Sequence, residues 1–67
     1  MKEITIINNG NIANVFTVDD REARRLALSI ANRGTHHVRD YFDTVVGCDY
    51  RDNEVMIVKI KKVEVAS

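Results

Sequence analysis

The first eighteen positions hold two apolar, β-branched runs separated by one turn signal, with apolar residues on both faces of each run. Glu3-Ile4-Thr5-Ile6-Ile7 is rich in β-branched residues and predicts a strand. Asn9-Gly10 follows, the dipeptide best suited to a two-residue hairpin turn, because both positions need positive φ. Ile12 to Val18 predicts the returning strand. An unbroken register from this turn pairs Asn8 with Asn11, Ile7 with Ile12, Ile6 with Ala13 and Ile4 with Val15. One face then carries Ile4, Ile6, Ala13 and Val15, and the other carries Ile7, Ile12, Phe16 and Val18.

The period then changes from two to about 3.6. Ala23, Leu26, Ala27 and Ile30 recur at the spacing of one buried helical face. Thr17 and Asp19 are candidate N-caps, with Thr17 to Asp20 resembling a capping box. Asp19, Asp20 and Glu22 suit the positive end of the helix dipole. Arg33 and then Gly34 suit the other end, Gly34 as a residue just past the helix. A helix over residues 19–33 is expected, with Asp20 and Arg24 forming an i, i+4 ion pair.

The stretch from Thr35 to Asp43 is less distinct, and a turn or short helix at 36–41 is expected. A strand from Phe42 to Tyr50 follows. Asp52-Asn53 predicts a second hairpin turn, with Arg51 facing Glu54 and Asp43 facing Lys62, both charge-complementary pairs. Val46, Cys48, Tyr50, Val55, Ile57 and Val63 then share one face, and Val45, Met56, Val58 and Ile60 the other. The alternation breaks near Lys61-Lys62, which predicts a bulge there. Met56-Ile57-Val58 is apolar on both faces, as in a central or interface strand.

The fold class is therefore α+β: an antiparallel sheet of about four strands, β-β-α-β-β, with one helix on one face. The chain has 67 residues and no proline, repeat or linker, so a single domain over 1–67 is expected. One helix covers one sheet face. The other keeps apolar residues from both hairpins and is a candidate interaction surface.

Composition narrows the function classes. No apolar run approaches the roughly 18 residues that span a bilayer, and no secretory leader pattern is visible. Cys48 is the single cysteine, so no internal disulfide forms; a reducing, cytoplasmic setting is expected. A domain of about 60 residues is marginal on its own and is usually stapled by disulfides, metal or association. Association is expected here, most simply as a homodimer. So short a chain rarely encloses a catalytic pocket, so a non-enzymatic role is expected.

Candidate chemistry is sparse. His36 and His37 are adjacent, and neighbouring side chains diverge, so the pair alone does not chelate one ion. Cys48, Asp49 and Asp43 are candidate complements, but no spacing matches a metal signature, so neither metal nor cofactor is expected. Cys48 reads as a small buried hydrophobe. Asp40, Asp43, Asp49, Asp52 and Glu54 stand against Arg39 and Arg51 over residues 34–54, a local charge of −3. They read as a solvated turn surface or a contact with a basic partner. Asn8 to Asn11 reads as turn chemistry.

The basic residues form the other half of a neutral chain. Arg21 and Arg25 share the polar side of the helix, and Lys59, Lys61 and Lys62 lie in the last strand. Phosphate binding uses such stripes, but the helix segment carries only +1 and the chain has four aromatics with no stacking motif. Together these features predict a small accessory or inhibitor protein, of the kind mobile genetic elements encode against host defences. It would block a protein partner sterically through Ile7, Ile12, Phe16, Tyr50, Asp49 and Asp52. The alternative is a nucleic-acid module using Arg21, Arg25, Lys59 and Lys61.

Overall fold

The computed structural model describes residues 1–63, and the last four positions of the expected domain lie outside the described residues. The elements run β1 (Lys2–Asn8), β2 (Asn11–Val18), α1 (Asp20–Arg33), β3 (His37–Asp40), β4 (Thr44–Cys48) and β5 (Glu54–Lys62). All pairings are antiparallel and the sheet order is β2-β1-β5-β4-β3. The α+β class and single helix match the sequence expectation, but the sheet has five strands rather than four. β5 lies at its centre, in keeping with the two-sided apolar run Met56 to Val58.

The helix matches its sequence signals closely. Asp19 is the N-cap, and its carbonyl oxygen accepts from Glu22 N at 3.0 Å and Ala23 N at 3.1 Å. Thr17 lies within β2 instead of capping. Gly34 directly follows the helix, as expected, with φ −113°, a conformation open to any residue. The expected Asp20–Arg24 pair also gives way. Asp20 bonds the Met1 amine at 2.9 Å, Arg24 reaches across to Asp40, and Arg25 pairs with Glu22.

The helix approaches the sheet along an alanine stripe. Ala23, Ala27 and Ala31 are fully or almost fully buried, and with Ile4, Val45 and Val58 they form the core. Leu26, Leu28 and Ile30 flank this line and are half-buried. Small side chains bring the two backbones close, so the core is thin and the sheet residues supply most of its volume. Gly47 extends this contact. A Cβ there would run into Thr35 Cγ2 and lie 3.1 Å from the Ala31 carbonyl oxygen.

Two departures from the expected register have physical causes. The Asn9-Gly10 turn forms with φ of 50° and 84°, the signs a type I′ turn needs. Asn8 pairs Asn11 and Ile7 pairs Ile12, but a bulge then sets Ile6 opposite Asn14, Thr5 opposite Val15 and Ile4 opposite Phe16. Ala13 is the unpaired extra residue. A one-residue slip exchanges the two faces of a strand. Phe16 and Val18 therefore join Ile4 and Ile6 under the helix, and Val15 turns to the open face. The unbroken register placed Phe16 on the wrong side.

In the second hairpin Val46 faces Ile57 and Thr44 faces Lys59, two residues away from the register expected from an Asp52-Asn53 turn. A two-residue slip preserves the faces, so Val45, Met56, Val58 and Ile60 still lie on one side. Arg51 sits in the connecting loop, Cys48 faces Glu54, and the Asp43 carbonyl accepts from Ile60 N at 2.8 Å. Neither expected charge pair forms. The ladder irregularity falls at Gly47/Cys48 rather than at Lys61-Lys62.

Residues 37–40 form a strand, not the turn or short helix expected, and β4 is correspondingly shorter than Phe42 to Tyr50. Val38 packs against the helix-side core. The turn joining β3 to β4 is closed by Tyr41 N donating to the Thr44 carbonyl at 2.8 Å.

Candidate partner-binding surface

The register settles which sheet face the helix covers. Ile4, Ile6, Phe16, Val18, Val38, Val45, Met56, Val58 and Ile60 face α1. Alternation places Ile7, Ile57, Val46 and Cys48 on the opposite face, over which the described residues place no second layer. One apolar row crosses that face, running Ile12, Ile7, Ile57 and Val46 through four adjacent strands, with Ile7 and Ile57 half-buried and Val46, like Cys48, buried. Ile12 is 68% exposed and Val15 48% exposed at the β2 edge. Beside this row the face turns polar, with Thr5 opposite Lys59 and Glu3 opposite Lys61.

Both ends of β4 carry exposed aromatics. Tyr50 is 73% exposed, with the Arg51 guanidinium 5.4 Å from its ring centroid. At the other end Phe42 is 82% exposed and has φ +77°, a conformation costly for an aromatic residue. Its turn is held from three sides. Phe42 N donates to Asp40 Oδ1 at 3.0 Å, Arg24 Nη1 donates to the Phe42 carbonyl at 2.9 Å, and Arg24 also pairs with Asp40. The same guanidinium lies 5.5 Å from the Phe42 ring centroid. Sequence reasoning missed Phe42, because a left-handed position filled by phenylalanine carries no glycine or asparagine signal.

A third cluster stands at the β3 edge. His37 and Cys48 are direct cross-strand partners, and the 49–53 loop returns Asp52 to them. His37 Nε2 lies 2.7 Å from Asp52 Oδ1, and Arg39 pairs with the other carboxylate oxygen. These two donors, His37 foremost, hold the Asp52 carboxyl below its ordinary range. Asp49 organises the loop, its Oδ1 accepting from Arg51 N and Asn53 N, each at 2.9 Å. The Asn53 amide is the main reason its carboxyl also titrates low. Arg39 is held more basic by Tyr41 and then by Asp52.

The expected contact residues thus divide. Ile7, Ile12 and Tyr50 lie at the surface or its margin, with Ile7 half-buried. Phe16 packs under the helix. Asp52 is exposed and Asp49 half-buried, but their carboxylates serve the loop and its cluster. The acidic belt is dispersed, since Asp40 is paired with Arg24. The expected basic stripe is divided by the sheet. Arg21 and Arg25 are exposed on α1, whereas Lys59 and Lys61 lie with Ile57 on the face away from it.

The concavities are minor. One of about 140 Å³ lies between Lys2, Asp20, Ala23, Arg24, Phe42, Asp43 and Ile60. The other, about 450 Å³, is a shallow hollow beside Leu28, Ser29, Asn32 and Val38. Among the described residues no helix is long and apolar enough to cross a membrane. No protein-family model matches the chain, no curated protein matches it, and no solved structure matches it.

Proposed function

We propose that the chain is a non-enzymatic interaction protein that binds a protein partner through the open face of its sheet and blocks that partner sterically. The observation that carries this reading is the row Ile12, Ile7 and Ile57, apolar across three strands and ending at the buried Val46, with no second layer of elements over it among the described residues. A single-layer sheet face of this kind marks a contact surface in small domains. Tyr50, beyond the end of β4, is an exposed aromatic anchor of the type that dominates interface energetics, whereas Phe42 stands beside Arg24 on the helix side. The concavities favour the same reading, because the smaller is below the ~300–1,000 Å³ of ordinary ligand pockets and the larger is shallow.

A second copy of the chain is a natural first occupant, since association supplements a thin core. In an inhibitor of this kind the same face then exchanges one partner for another. The test is Ile12→Glu, at a position exposed enough for the fold to tolerate it. Sedimentation velocity is expected to show a wild-type dimer and a monomeric variant with the wild-type circular dichroism spectrum. Inhibitory activity in the producing cells is expected to fall with it. A variant that keeps both dimer and activity contradicts the proposal.

A further inference from the structure

We propose that His37, Cys48 and Asp52 form a binding site for one divalent ion of the zinc class. This site is separate from the apolar row and stands whether or not that row binds a partner. The three residues offer an imidazole nitrogen, a thiol sulfur and a carboxylate oxygen, all within 4.8 Å of one another. That mixed nitrogen, sulfur and oxygen set suits zinc, which takes three protein ligands plus water at open sites. Tetrahedral zinc separates such atoms by about 3.3–3.7 Å, as its bond lengths require. The His37–Asp52 contact at 2.7 Å needs only a small opening to reach that range, and the wider spacings a small closure.

The surroundings are built as well as the ligands. Cys48 is fully buried and forms the floor, while His37 and Asp52 are half-exposed and form the rim, so an ion enters from solvent. The β3–β4 register fixes His37 beside Cys48, and His36 N donating to the Cys48 carbonyl at 2.8 Å locks that register. Asp52 is held at φ +68° by the bond from its own N–H to the Asp49 carbonyl at 3.0 Å. Arg39 engages Asp52 Oδ2, which leaves Oδ1 on the His37 side. His36 Nδ1 lies 3.4 Å from His37 Nδ1 and accepts a hydrogen bond when His37 carries its proton there. Partners of this kind orient metal-bound imidazoles and carboxylates.

The charges and protons balance. On binding, the Cys48 thiol gives its proton to solvent, and the His37 proton moves from Nε2 to Nδ1, facing His36. The dication meets one thiolate and one carboxylate, so ion and ligands are neutral together, and the Arg39 guanidinium on Asp52 Oδ2 leaves one positive charge beside them. Adjacent His36 and His37 do not chelate together; the second and third ligands come from across the strand pair and from the loop.

The experiment is a Co²⁺ titration of the full, reduced chain, followed by Zn²⁺. One equivalent of Co²⁺ is expected to produce thiolate-to-cobalt charge-transfer absorption, and one equivalent of Zn²⁺ to bleach it and raise Tm. Cys48→Ser is expected to lose the band. Because Cys48 is buried and its replacement can disturb folding, His37→Gln provides the second test at a half-exposed position. It is expected to weaken Co²⁺ binding at least tenfold while keeping the wild-type circular dichroism spectrum. Absence of the band with excess Co²⁺, or an undiminished affinity in His37→Gln, overturns the proposal.

Discussion

Gly47 lies directly beneath Thr35, so close that a methyl group on Gly47 would occupy the space of Thr35 Cγ2. This contact sets how near the end of α1 comes to β4. Gly47→Ala is expected to destabilise the fold by about 1–3 kcal/mol, the usual cost of overpacking. Part of that cost remains in Gly47→Ala/Thr35→Ala, because the Ala31 carbonyl oxygen still lies 3.1 Å from the new methyl. Urea denaturation of both single variants and the double variant measures the coupling. Additive losses contradict this account of Gly47.

The bulge at Ala13 makes a second prediction. It is the device that turns Phe16 and Val18 under the helix. Deleting Ala13 restores an unbroken ladder and sends both side chains to the open face. The deletion is expected to cost about 1.5–3 kcal/mol, the scale of one large apolar side chain leaving the core. Replacing Ala13 with Ser keeps the residue count and is expected to be nearly neutral. Thermal melts of the two variants separate a role in register from a role in packing.

The positive φ of Phe42 is held by the Asp40 and Arg24 contacts of its turn. Phe42→Gly relieves the positive φ and is expected to raise stability by about 1 kcal/mol, the lower end of the cost of such a conformation. The ring lies on the helix side, so the same change is expected to leave partner binding through the open face intact. A variant that is less stable than wild type shows instead that the ring and its Arg24 contact stabilise the turn.

Acid dependence follows from Asp49. Its carboxyl titrates below its ordinary value in the folded chain because the Asn53 and Arg51 amides bond the carboxylate. A depressed folded pKa contributes stability that is complete above the unfolded value of about 3.9 and lost as pH falls through the folded one. Melting temperature with a chelator present is therefore expected to drop below about pH 4. Asp49→Asn should be less stable than wild type at neutral pH and should converge on it in acid. A constant difference between the two across that range contradicts the assignment.

The parts of the fold that were legible in the sequence are those fixed by local chemistry. Asn9-Gly10 fixes its turn because both positions need positive φ, and Asp19, Arg33 and the apolar spacing bound the helix within a residue. What escaped was decided by tertiary contact. The Ala13 bulge has no marker of its own, yet it exchanges the faces of Phe16 and Val18. The strand at 37–40 was hidden because its turn uses Phe42 where glycine would have announced it. The apolar row was half legible: Ile7, Ile12 and Ile57 alternate visibly, but only the β1–β5 pairing aligns them. The His37, Cys48 and Asp52 cluster shows no metal-ligand spacing along the chain, because a strand register and a loop assemble it.

In the proposed mode of binding the open sheet face, not the helix face, makes the contact. The most direct measurement places a photo-reactive amino acid at Ile12 and, separately, at Arg21 on the outer side of α1. Both are irradiated in purified chain and in the producing cells. Cross-linked dimer and cross-linked partner are expected from Ile12 and neither from Arg21. Products from Arg21 with none from Ile12 would contradict that mode.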